Sequence, residues 1–193
     1  YEGSVFIKPI PIERDLVKIE KRVNAKRKLE QKFFINEQIN KIFNENLYFN
    51  QIDPSGLEIT DIIKQMNQKM LELGYVDEGF YNSILKREQM APTSFPSGIA
   101  VPHSVELNAF RNGISILTLQ EPIVWSNNEV SVIALVAINR KELKEFNKLF
   151  EIFIEIVSEP YNVQQLRKSE NYYEFISKLK MMMYELIDNN DSD

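Results

Sequence analysis

"SGIAVPHS", residues 97–104, contains the only histidine in a chain of 193 residues. Small and apolar side chains run as far as Val101. The chain then meets Pro102, whose missing N–H ends regular strand pairing on that side. A short apolar strand that runs into a polar loop is the kind of place where α/β folds collect ligand and catalytic groups. Gly98 allows a neighbouring backbone or ligand to come close. The loop before it, "APTSFPS" (91–97), adds the hydroxyls of Thr93, Ser94 and Ser97, and Ser104 follows the histidine. Arg87 lies upstream at the end of a helical stretch, just before Pro92.

Working outward, "GISILTL" (113–119) and "VSVIALVAI" (130–138) are the clearest strands, and the second is apolar on both faces, as a central strand must be. "LYFNQI" (47–52) alternates like another strand, and Asp53-Pro54-Ser55-Gly56 is a turn. Ile59, Ile62, Ile63, Met66, Met70 and Leu73 recur at helical spacing behind a Thr60 cap, with Gly74 as the stop. A second helix is expected from Asp77, as N-cap, to Met90, with Phe80, Ile84 and Leu85 facing inward. Further helices are expected over 142–157 and 171–187. Strands mixed with helices in this order describe a layered α/β domain.

The first 42 residues differ in character. "SVFIKPIPI" (4–12) reads as a short strand ended by prolines. Residues 13–34 form a charged helix with a thin apolar stripe at Leu16, Ile19 and Val23, and 36–43 a second short helical segment. Tyr1 opens the chain without an initiator methionine or signal pattern, so the sequence reads as a piece of a longer protein. "DNNDSD" (188–193) reads as a disordered tail.

Composition removes several classes of function. With no cysteine there are no disulfides and no thiolate chemistry, which fits a reducing compartment. A lone histidine makes an imidazole-rich metal site a poor expectation, and no metal or cofactor is expected. No apolar run reaches the ~18 residues of a membrane span. Residues 1–42 carry ten Lys+Arg and six Asp+Glu, net +4, which leaves −9 on the remainder of a chain whose total is −5. An acidic body argues against nucleic-acid binding, and the basic segment reads as a solvated helix. There is no G-x-S-x-G, no Walker loop and no G-x-G-x-x-G.

A lone histidine is ordinarily a surface or satisfied core residue. Here the neighbours suit a phosphohistidine site. Neutral imidazole is a competent nucleophile near pH 7. One ring nitrogen attacks phosphorus while an acceptor holds the other. Arg87 can grip phosphate by paired hydrogen bonds, and nearby hydroxyl or backbone donors neutralise the remaining oxygens. Trp125 reads as a packing residue, and Met181 to Met183 as helix core with one exposed member.

"LELGYVDEGFYNSILKREQMAPTSFPSGIAVPHS" (71–104) resembles the IIA domain of the mannitol/fructose class of the sugar phosphotransferase system. The carrying features are a helix ending in Gly-Tyr, a second ending in Arg-Glu, a Thr-containing loop and G-I-A-V-P-H. The resemblance covers about residues 43–187. It implies a mixed β-sheet flanked by helices on both faces, preceded here by a helical linker. It implies that His103 takes a phosphoryl group on Nε2 from the phosphocarrier HPr. Arg87 then grips the phosphate, and Thr93, Ser94 and Ser104 form the loop beside it. Transport members of the class carry a second histidine after the long central strand. In "NRKELKEFNKLFEIF" its nearest candidate replacement is Glu145, whose carboxylate would repel a phosphohistidine unless it turns away or holds the ring N–H.

The opening segment is similar to the junction in bacterial regulators and antiterminators, where regulation (PRD) domains and a IIB-like domain precede a C-terminal IIA-like domain. The expected organisation is a linker over 1–42 with the last strand of an absent IIB-like domain, a phosphoacceptor domain over 43–188 and a tail over 189–193. The expected function is regulation of a sugar operon, in a cytoplasmic protein of a Gram-positive bacterium. Its partners would be HPr, a IIB domain and other domains of the same regulator, with no nucleic acid bound by this piece and no membrane insertion. The alternative is a transport IIA subunit that passes phosphate from HPr to a IIB domain. Phe95, Val105 and Leu107 are candidates for the docking surface.

Overall fold

The computed structural model describes residues 11–190. In chain order its elements are α1 (Pro11–Ile42), β1 (Phe43–Ile52), α2 (Ile59–Glu72), α3 (Phe80–Met90), β2 (Ile99–Ala100), β3 (Asn108–Trp125), β4 (Asn128–Asn139), a 3-10 turn (Arg140–Glu142), α4 (Leu143–Val157), α5 (Pro160–Arg167) and α6 (Tyr172–Asn189). The sheet has the order β1-β3-β4-β2. β3 and β4 form an antiparallel hairpin with Leu117 opposite Ile133, while β1 runs parallel to β3 and β2 parallel to β4. The two strands most apolar in sequence therefore occupy the centre, and β4 is buried from Val130 to Ala137.

Period-two alternation divides the core in two. Ile114, Ile116, Val132, Ala134 and Val136 face the end of α1 with α4, α5 and α6. Leu117, Leu119, Ile133 and Leu135 face α2 and α3. Helices thus cover both faces of a mixed sheet, as the resemblance implied.

The start of the chain is simpler than the sequence pattern suggested. Residues 4–10 of the expected first strand lie outside the described residues, and Pro11 and Ile12 open a helix instead. The two expected helical segments are one 32-residue helix, because nothing between Phe34 and Asn36 breaks it. Its two ends have different surroundings. Ile35, Ile39 and Ile42 are buried in the core, whereas Ile12, Leu16, Ile19 and Val23 are 49–72% exposed.

Two caps also differ from expectation. Glu58, not Thr60, caps α2, in a reciprocal box with Asp61 whose Oδ2 accepts from Glu58 N at 2.9 Å. Asp77 Oδ1 accepts from Gly79 N at 2.9 Å in a turn that precedes α3, so it lies before Gly79, which holds the cap position it was expected to fill. Gly74, at φ +73, ends α2 as expected. α5 went unread, since only Val163 and Leu166 are buried in it and two apolar positions carry no period. Asn189 closes α6, so the helix runs into the expected tail, and residues 191–193 lie outside the described part.

Candidate phosphoacceptor site

His103 stands at the edge of the sheet, beyond Val101 and Pro102, which follow β2. The chain there still runs alongside β4: Val136 N donates to Pro102 O at 3.0 Å, and His103 forms a single parallel bridge with Val136. Pro102 needs no partner for a missing N–H, so it fits this edge while its carbonyl anchors the turn. Gly98 has φ +100, which disfavours any side chain. A Cβ there would meet its neighbours only at ordinary distances, 3.7 Å and beyond, so backbone conformation rather than close approach accounts for this glycine.

The imidazole is half-buried, and its Nδ1 lies 2.9 Å from Val101 O. A carbonyl oxygen only accepts, so Nδ1–H donates and the neutral ring keeps its free lone pair on Nε2. The acceptor that fixes the tautomer is therefore backbone two residues away. Glu145 has no part in it: it is exposed in the first turn of α4 and does not line the cleft that contains His103.

That cleft encloses about 400 Å³. One wall is polar, with Arg87 from the last turn of α3 and Thr93 and Ser94 from the 91–97 loop. The other is apolar: Val136 and Ile138 of β4, and Phe150 and Ile154 of α4. Phe95 from the loop also lines it. Arg87 Nη1 donates to Ala91 O at 2.9 Å, and among the described residues its guanidinium enters no ion pair.

The hydroxyls that the sequence places near His103 are bonded within the protein. Thr93 is buried, and its Oγ1 donates to Glu88 Oε2 at 2.7 Å. Ser94 Oγ donates to Trp125 O at 2.8 Å and accepts from Asn128 Nδ2 at 3.0 Å. Ser97 Oγ, also buried, donates to Val157 O at 2.7 Å and pins the loop to the end of α4. Ser104 lies outside the cleft, where its Oγ donates to the carbonyl of Glu106. Each of these protons already has an acceptor. The side chains shape the wall, and Arg87 is the member of the predicted set with donors to spare.

Glu88 is the residue that sequence reasoning passed over, although the Arg-Glu pair at the end of the helix was the signal. Trp125 is fully buried, as a packing residue should be, and its indole N–H donates to Glu88 Oε1 at 2.6 Å. Of the expected docking residues, Val105 is exposed and Leu107 partly so, while Phe95 faces the cleft.

Residues 41–181 match the family described as phosphoenolpyruvate-dependent sugar phosphotransferase system, EIIA 2, and the chain belongs to it. Among curated relatives, it is 28% identical over 138 residues to a probable licABCH operon regulator of Bacillus subtilis, covering 72% of this chain and 21% of that protein. It is 33% identical over 118 residues to the transcriptional regulator ManR of the same organism, covering 61% of this chain and 18% of that protein. The chain thus spans about a fifth of the length of these two regulators. It is also 28% identical over 122 residues to the mannitol-specific phosphotransferase enzyme IIA component of Halalkalibacterium halodurans, covering 62% of this chain and 82% of that protein. The fold matches enzyme IIA in a complex with phosphorylated enzyme IIB from Escherichia coli, with a TM-score of 0.61 at 15% identity over 72% of this chain and 98% of that one.

Proposed function

We propose that this chain carries the regulatory IIA-like domain of a bacterial sugar-operon regulator, and that it accepts a phosphoryl group on His103 from HPr in the cytoplasm. The observation that carries the reading is the hydrogen bond from Nδ1 to Val101 O, which leaves Nε2 as the nucleophile in a cleft shared with Arg87. The Nε2 lone pair forms a bond to phosphorus as the P–N bond to the carrier's histidine breaks, and that ring leaves as neutral imidazole. The phosphorylated His103 ring is cationic, and its retained Nδ1–H donates more strongly to Val101 O. Arg87 neutralises the phosphoryl oxygens without needing a metal ion. The domain would span 43–188, with the last turns of α1 packed against it and residues 1–42 leading from a preceding IIB-like domain.

Regulation is favoured by the two operon regulators among the relatives. The phosphoryl oxygens, with a charge of about −1.5 to −2 offset in part by the cationic ring, would change how the domain docks on the rest of the regulator, a DNA-binding activator or a PRD-type antiterminator. The acidic body of this chain would bind no nucleic acid itself. Among the described residues no helix is long and apolar enough to cross a membrane. A second reading, a transport subunit that passes phosphate to a IIB domain, draws support from the mannitol IIA relative, 82% of which is covered.

The test is to mix the protein with phosphoenolpyruvate, enzyme I and HPr and weigh it intact. One acid-labile phosphoryl group, absent in His103→Ala, is the expected result. No gain under conditions that load an authentic IIA protein would overturn the reading. Rapid loss of the label to an added IIB domain would favour the transport subunit.

A further inference from the structure

The Glu88 carboxylate gathers three donors from two other parts of the chain. Oε1 accepts from Thr93 N at 3.1 Å and from the Trp125 indole at 2.6 Å, and Oε2 accepts from Thr93 Oγ1. Thr93 belongs to the loop that lines the cleft, and Trp125 ends β3. Ser94 reinforces the same junction through Trp125 O and Asn128. All three donors to Glu88 are neutral. Neither Glu88 nor the adjacent Arg87 enters an ion pair among the described residues. Helix geometry accounts for this, because adjacent positions do not face each other. Successive helix positions lie about 100° apart, so Arg87 points to the cleft while Glu88 points to the loop and hairpin.

We propose that Glu88 is the positioning residue of the phosphoacceptor site, holding the Thr93–Ser94 wall against α3 while leaving the Arg87 guanidinium without a carboxylate partner, its remaining donors available to phosphate. The proposal rests on the reading of His103 given above. Thr93 then acts as a strut: its hydroxyl proton belongs to Glu88, and it gives none to the phosphoryl group. Misplacing a group that meets the reacting centre by about 1 Å costs up to roughly 100-fold in rate, which sets the scale expected for loss of the strut.

The chain holds a single tryptophan, and it is one of the three donors, so its emission reports on the junction directly. The experiment follows transfer from phosphorylated HPr at varied carrier concentrations, in the wild type and in Glu88→Gln, Glu88→Ala, Thr93→Ser and Thr93→Val, with thermal melting and Trp125 emission recorded for each. Glu88→Gln is the nearest in shape, but its amide nitrogen cannot accept from Thr93 or the indole. The expected result is a maximal rate lowered roughly 10- to 100-fold in both Glu88 variants, with shifted emission and with half-saturating HPr within about twofold of wild type. Thr93→Ser keeps the hydroxyl whose proton Glu88 accepts and loses less rate than Thr93→Val, which lacks it. A variant that merely unfolds shows itself by melting, and then Thr93→Ser against Thr93→Val decides. Wild-type rates in folded Glu88→Gln, or slow transfer in Thr93→Val beside normal transfer in Glu88→Gln, would overturn the proposal. A wild type that takes no phosphoryl group removes the underlying reading, which is a distinct outcome because no variant is needed to see it.

Discussion

The two walls of the cleft are made by opposite means. The wall built from α3 and the 91–97 loop is tied down at nearly every polar atom: Thr93 and Trp125 to Glu88, Ser94 to Trp125 and Asn128, Ser97 to Val157. The facing wall of Val136, Ile138, Phe150 and Ile154 offers only apolar surface, and Phe150 stacks between Phe146 and Phe153 at centroid separations of 5.3 and 6.2 Å. Charge-bearing chemistry depends on orientation, so its supports are hydrogen bonds of fixed direction. Recognition of a transient partner depends on apolar area, which is tolerant of direction. Under the proposed function, the contrast would put chemistry on one wall and docking on the other.

That division can be broken or sharpened by mutation. Loss of the nucleophile in His103→Ala is the largest expected effect and leaves no detectable phosphoryl gain by intact mass. Next comes Arg87→Lys, which keeps the charge and loses the planar fork; phosphoryl transfer falls about 100-fold in maximal rate, measured by rapid-quench labelling. Phe150→Ala acts on the opposite wall. It raises the half-saturating concentration of HPr about tenfold and leaves the maximal rate within about twofold, because a truncated anchor weakens docking without moving the nucleophile. An equal loss of maximal rate in Phe150→Ala would dissolve the distinction between the walls. The smallest effect belongs to Glu145→Gln. An exposed carboxylate away from the cleft leaves both parameters within about twofold in the same assay.

Much of this was legible in the sequence because it depends on local order. The apolar runs at 113–119 and 130–138 could only be interior strands, and Pro102 set the turn that presents His103. Arg87 was found because it closes a helix just before a proline loop. The direction of a hydroxyl proton is a different kind of fact. Thr93 and Ser94 were expected in the loop beside the phosphate, but their hydroxyl acceptors are Glu88, five residues before Thr93, and the Trp125 carbonyl, 31 residues after Ser94. No spacing rule encodes such a partner. The orientation of Glu145 was left open for a related reason, since which face of α4 meets the cleft is decided by how the helix lies on the sheet. The division at residue 35 in the first helix failed because exposure and burial change along α1 while its backbone does not.

α1 has a mechanical consequence. Its last turns share a core with the strands that support His103, through Ile35, Ile39 and Ile42. Lys28 and Lys32 bind Asp188 on α6, at 2.9 and 2.7 Å. The seventeen residues from Pro11 to Arg27 precede those ties and, at 1.5 Å per residue, reach about 25 Å from them. A tilt of ~5° at the base carries the first turn through ~2 Å, on the scale of helix shifts that switch regulatory proteins. The helix is thus a lever whose fulcrum is the core behind the cleft, and a small change in angle there becomes a displacement at its far end.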